Sequence, residues 1–271
     1  MSRILTSLHG RLLGLDSEGR LVCPGGFRSG ENGSQIDLPS AARASLFDDF
    51  VGGAQVFSTT VVNGWMSRVG TTNAVDWTVT TNPGGSVVGK VGDTTASMAV
   101  SGIQLDSGLA WKANQGGLAF EARVKLGIIT DFAAYIGFTD QVAALEMPIN
   151  SAASANTITT NATDGCGFMF DTSMTDDKWW LVGVANNTDA THQNTTFAPV
   201  ADTYETFRIE LTAAGVATFF RNGIQVGTAM TGAVTATVAL TPVIAAFNRT
   251  TANGATTIVT ADYMHVSALR A

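Results

Sequence analysis

Apolar and polar residues alternate over short stretches of this chain, most clearly between residues 206 and 228. Phe207, Ile209 and Leu211 interleave with Thr206, Arg208 and Glu210, which gives a strand one apolar and one wet face. After a turn at Gly215, residues 217–221 make the next strand. Asn222-Gly223 then supplies the two left-handed positions of a type I′ turn, and residues 224–228 return. The same alternating or continuous apolar runs, punctuated by Gly, Asn, Asp and Thr, predict further strands at 55–58, 77–80, 97–100, 118–126, 133–138, 166–171, 179–185, 240–248 and 258–267. Such short, regularly spaced strands without helical periodicity predict an antiparallel two-sheet sandwich. No repeat of solenoid or propeller length is present.

Residues 1–45 follow a different pattern. Two apolar runs, Arg11-Leu12-Leu13-Gly14-Leu15 and Arg20-Leu21-Val22, flank the turn-like Asp16-Ser17-Glu18-Gly19, which fits a small hairpin. A Gly-rich polar stretch follows, with too few apolar residues to offset the entropy of ordering it alone. The expected organisation is an extended N-terminal arm over 1–45 and a sandwich domain over 46–271.

Composition sharpens this picture. Hydrophobic residues make up 45% of the chain and charged residues only 14%. The first value is ample for a core; the second is well below the usual quarter. Lysine is confined to Lys90, Lys112, Lys125 and Lys178, so Thr, Asn, Gly and Ser must carry much of the surface. The net charge of −7 argues against a nucleic-acid partner, because phosphate binding needs clustered cations. No apolar run reaches the 18 residues a membrane helix needs. Arg3, His9 and Arg11 interrupt the first apolar residues, so no secretory signal is expected. Cys23 and Cys166 are too few and too far apart for a disulfide framework.

Several segments resemble the concanavalin A-like lectin/glucanase (laminin G-like) jelly rolls. Leu46-Phe47-Asp48-Asp49-Phe50 with Trp65 is similar to their opening strand, and Gly117 to Lys125 to an inner strand. Ala134 to Asp140 resembles the strand after it. Phe207 to Gly227 is similar to their Asn-Gly hairpin, and Thr260 to Val266 to their closing strand. The resemblance covers residues 46–271 and implies a jelly roll. It also raises glycoside hydrolysis, which uses a pair of carboxylates on one active strand in a Glu-x-Asp-x-x-Glu pattern. The nearest match runs from Glu205 to Glu210, with Phe207 where the Asp belongs, and its two glutamates have opposite strand parity. A non-catalytic protein is therefore expected.

Other chemistries find little footing. His9, His192 and His265 have no companions at zinc-ligand spacing, and Gly-x-Ser-x-Gly is absent. The Asp-rich turns at Asp131 and 171–177 lack the order of a calcium loop, so neither metal nor cofactor is expected. Trp179 and Trp180, beside Asp176 and Asp177, form the candidate sugar contact, since indole faces stack on sugar rings and carboxylates accept from hydroxyls. Adjacent strand residues point to opposite faces, so at most one of the two indoles can face outward.

Arms followed by jelly rolls look like those of tailed-phage capsid decoration and fibre proteins. The leading expectation is accordingly a bacteriophage virion protein, made in host cytoplasm and anchored on the major capsid protein or another virion protein. The anchor would be the arm, through Arg11, Leu12, Leu13, Leu15, Arg20, Leu21, Val22 and Arg28, and oligomerisation as a trimer or dimer would multiply it. The alternative is a carbohydrate-binding lectin-like module with a glycan as partner.

Overall fold

The computed structural model describes residues 43–51, 56–57, 64–71, 76–80, 84–92, 97–152, 156–249 and 257–270, together with the backbone of five short strands before residue 43. The chain divides into two compact units, Met1–Ala44 and Ser45–Ala271. In the first, β1 (Leu5–Thr6), β2 (Leu12–Leu15) and β3 (Leu21–Val22) form a three-stranded antiparallel sheet, and β4 (Phe27–Arg28) pairs with β5 (Gln35–Ile36). The β2–β3 pair lies where the two apolar runs fit a small hairpin, and β4 pairs with β5 within the stretch expected to be extended.

The second unit is all-β. It opens with β6 (Arg43–Asp48), most of which it contains, then β7 (Val56–Phe57), β8 (Met66–Val69), β9 (Asp76–Val79), β10 (Val87–Lys90) and β11 (Ile103–Asp106). Next come β12 (Leu118–Leu126), β13 (Phe132–Thr139), β14 (Ile149–Ser151), β15 (Ile158–Thr160), β16 (Gly165–Asp171) and β17 (Trp180–Ala185). The rest are β18 (Thr188–Asp189), β19 (Gln193–Asn194), β20 (Glu205–Leu211), β21 (Ala217–Arg221), β22 (Ile224–Met230), β23 (Thr241–Asn248) and β24 (Thr257–Leu269).

Two antiparallel sheets pack as a sandwich. The larger runs β22-β21-β20-β12-β24-β10-β9-β7, with β6 also beside β24. The smaller runs β18-β17-β16-β13-β23-β11-β8, with β19 also on β17. Aromatic rings knit the layer between them. Phe120 of β12 meets Phe138 of β13 at 5.8 Å, and Phe168 of β16 meets Phe207 and Phe219 of the larger sheet at 5.0 and 5.5 Å. These edge-on separations suit the ring quadrupoles.

One predicted strand is not a strand. Residues 97–100 enter a single helical turn, α1 (Met98–Ser101), which Gly102 ends by donating its N–H to the Met98 carbonyl. A four-residue apolar run has no period long enough to separate strand from helix. Strands β8, β10 and β11 lie where none was expected. Their four residues each are short, Gly89 reads as a turn, and Gln104 and Asp106 read as exposed although both are fully buried.

The outer faces of the two sheets differ. In the larger sheet β12 and β20 alternate strictly between buried and partly exposed positions, so their outer face meets water. In the smaller sheet β13, β16 and β23 are buried at every residue. Ala133, Tyr135, Met169, Trp180, Val182, Val243, Ala245 and Phe247 there form a second apolar cluster. The antiparallel β14–β15 hairpin and its flanks cover it with Met147, Ile149 and Ala162, and Met98 and Met174 join from either side. A buried ion pair fixes this cover. Arg249 Nε donates to Asp171 Oδ1 at 2.8 Å, and Arg249 Nη2 bonds Asp171 Oδ2. The Ser151 N–H donates to Asp171 Oδ2 at 2.8 Å while its carbonyl accepts from Arg249 Nη2 at 3.1 Å. The end of β14 is therefore held by both members of the pair.

At one edge of the larger sheet, β22 is met by a side chain from the smaller one. Gln193 Nε2 donates to the Thr228 carbonyl at 3.0 Å, and its Oε1 accepts the Thr228 N–H at 2.8 Å.

Candidate functional site

Among the described residues the outer face of the larger sheet is open over β12 and β20, and this surface is the candidate for meeting a ligand. Strand parity builds it. Glu121, Arg123 and Lys125 point outward from β12; Thr206, Arg208 and Glu210 do so from β20. The ladders set Glu121 opposite both Arg208 and His265, and Arg123 opposite both Thr206 and Tyr263. On β21, Phe220 stands opposite Arg208. A bulge between Arg123 and Val124 leaves Asp262 of β24 as the extra residue, and Arg123 Nη1 donates to its Oδ2 at 2.6 Å.

Polar contacts tie the face together. The Tyr263 hydroxyl donates to Glu121 Oε1 at 2.7 Å, and Ser45 Oγ lies 2.9 Å from His265 Nε2. Arg208 pairs with Glu210, and Lys125 lies 3.7 Å from Asp202. Rings lie among these charges. The Arg123 guanidinium sits 4.3 Å from the Tyr204 ring centre and the Arg208 guanidinium 5.5 Å from that of Phe220. Phe47, 45% exposed, lies 6.1 Å from both Tyr263 and His265. Burial, then the Asp262 carboxylate, push the Tyr204 hydroxyl above its ordinary pKa, against the opposing pull of Arg123. Such a mix of ring faces, hydroxyls, carboxylates and guanidinium donors can stack on sugar rings and exchange hydrogen bonds with sugar hydroxyls.

The residues singled out in the sequence are placed elsewhere. Trp179 is buried in the sandwich against Phe168, Phe170 and Phe207, and its Nε1 donates to Glu205 Oε2 at 3.2 Å. Trp180 belongs to the covered cluster on the smaller sheet. Neither indole face is open, which corrects the expected stacking site; both strand faces at this point are internal. Asp176 Oδ2 accepts from Asn156 and Asn194 at 2.8 and 2.9 Å. Burial, followed by Asp171 and Asp176, raises the Asp177 pKa. Arg11 and Arg20 lie outside the described residues. Leu12, Leu13, Leu15, Leu21, Val22 and Arg28 fall in β2, β3 and β4, with their side chains outside the description. The Glu205 and Glu210 carboxylates leave β20 on opposite faces; Glu205 is buried with Arg221, and Glu210 is outward with Arg208. Among the described residues no three His, Cys, Asp or Glu side chains cluster as metal ligands.

This architecture is the concanavalin A-like jelly roll. No protein-family model and no curated protein sequence matches the chain. Solved structures do resemble it. A protein of unknown function from Shewanella oneidensis MR-1 matches with a TM-score of 0.53 at 13% identity, over 85% of this chain and 90% of that one. The endo-1,3-β-glucanase of Streptomyces sioyaensis matches at 0.51 and 12%, over 88% and 100%. The Emp47p carbohydrate recognition domain matches at 0.51 and 12%, over 86% and 99%. At these identities the likeness is one of fold. It nevertheless corrects the expectation of a non-catalyst, because this fold is shared with several glycoside hydrolases and catalysis lies within what it carries.

Proposed function

We propose that the second unit binds carbohydrate on the open face of the larger sheet. The observation that carries this reading is the band of Phe47, Tyr263, Glu121, Arg123 and Arg208 across adjacent strands, in a unit whose other sheet is covered. Folds shared with a carbohydrate recognition domain and with a glucanase support it. They favour the lectin-like alternative over the virion reading. Binding is the step a lectin and a glycosidase have in common, so the proposal concerns recognition first. Titration of the whole protein against a polysaccharide panel tests it, with Phe47→Ala and Tyr263→Ala as partners. Saturable binding that weakens in both variants is expected. Retention of no glycan, or unchanged binding in both variants, would overturn it.

A further inference from the structure

We infer that the glycan taken by the open face is a chain without anionic groups lying across the strands, an inference that rests on the carbohydrate reading above. The cations on the two central strands are already matched. Arg123 pairs with Asp262 at 2.6 Å, Lys125 with Asp202 at 3.7 Å, and Arg208 with Glu210. Glu121 holds the Tyr263 hydroxyl. A uronate or sulfate group could reach the N–H groups of these pairs only beside the carboxylate that already neutralises them, which repels it. A neutral hydroxyl meets no such repulsion. It both donates and accepts, and each matched pair keeps unused N–H donors and carboxylate lone pairs for it.

The rings give the direction. Phe47 on β6, Tyr263 on β24 and Phe220 on β21 belong to a run of five neighbouring strands, β6-β24-β12-β20-β21. Strands lie about 4.8 Å apart, so the run spans roughly 19 Å perpendicular to the chain direction. Several linked sugar rings fit that length; a single terminal sugar would touch one end. Phe220 and Tyr204 each have a guanidinium over the ring, whereas Phe47 is 45% exposed and tilted 33° from Tyr263. The Phe47–Tyr263 end is therefore the hydrophobic anchor, and the paired charges of β12 and β20 read the hydroxyls beyond it.

The test uses the full chain against neutral glucans and mannans, and against uronate-containing and sulfated polysaccharides, each at low and at high salt. Neutral chains should bind with affinity unchanged by salt to within about twofold, since no net charge is exchanged. Phe47→Ala should weaken them by about tenfold, the worth of one good stacking contact, with thermal stability unchanged. Asp262→Asn, which frees Arg123, should gain salt-sensitive binding of the anionic chains. Preference of the unaltered protein for anionic chains, fading with salt, would overturn the inference and leave the carbohydrate reading standing. Binding of short terminal sugars as tight as that of long chains would overturn the lengthwise placement. No binding of any glycan would overturn both.

Discussion

The Asp171–Arg249 pair offers a demanding test of how the cover over the smaller sheet is held. Asp171→Asn keeps the shape of the side chain and removes its charge. The Asp171 side chain is fully buried and that of Arg249 is 14% exposed, so the guanidinium would be left largely enclosed without a counter-charge. The new amide would also turn an N–H group towards the Ser151 or Ser173 N–H, which now donate to the carboxylate at 2.8 and 2.9 Å. Removing one member of a buried pair costs about 3–5 kcal/mol. Residual exposure of Arg249 places this case near the lower end. For a domain of this size about 3 kcal/mol lowers Tm by roughly 6–12 °C. Asp171→Leu combined with Arg249→Met leaves no charge behind and should be less damaging than either single change. Calorimetry on the four proteins of the cycle measures the coupling directly. A fall of less than about 2 °C for Asp171→Asn, or a coupling energy near zero, would refute the claim that this pair fixes the hairpin.

Three further outcomes are expected. Trp179→Ala removes a fully enclosed ring and should cost about 3–5 kcal/mol, read as a Tm fall; unchanged stability would mean that the ring is not part of the core. Burial pushes the Cys166 thiol far up, so in a Cys23→Ser chain a thiol reagent at mildly alkaline pH should label nothing until the protein unfolds, and rapid native labelling would contradict that burial. Burial, opposed by backbone hydrogen bonds and reinforced by Asp164, raises the Asp140 pKa, so the folded state favours its protonated form. Its contribution is present below the ordinary aspartate value and is lost as pH rises through the folded one. Asp140→Asn should therefore flatten the mildly acidic part of the stability profile, and an unchanged profile by thermal melts would count against the assignment.

The strands that carry the open face were legible in the sequence. Residues 118–126 and 206–212 alternate because one face must be dry, and the Asn222-Gly223 turn, with φ of 51° and 78°, fixes the return to β22. Which outer face is open was not legible in alternation alone. The signal lay in its absence: Phe132–Thr139, Gly165–Asp171 and Thr241–Asn248 are apolar at nearly every position, as strands buried on both faces must be. The cover comes from β14 and β15, three residues each, too short to register as periodic. Trp179 and Trp180 misled for the same reason. Strand parity left room for one outward indole, but both sides of the chain are internal there. The open face itself depends on pairing between β12 and β24, more than 130 residues apart, and on a bulge that no local pattern announces.

The Gln193 bridge to Thr228 has a consequence for how this molecule behaves in a crowd. β22 ends the larger sheet, and the free backbone groups of an edge strand can template the addition of a strand from another molecule. The amide of Gln193 fills one such slot with the donor and acceptor a partner strand would supply. Chains can thus be concentrated without growing sheet on sheet at that point, because a neighbour must first displace a group already tethered beside the edge. The net charge of −7 adds a general repulsion between copies to this local block.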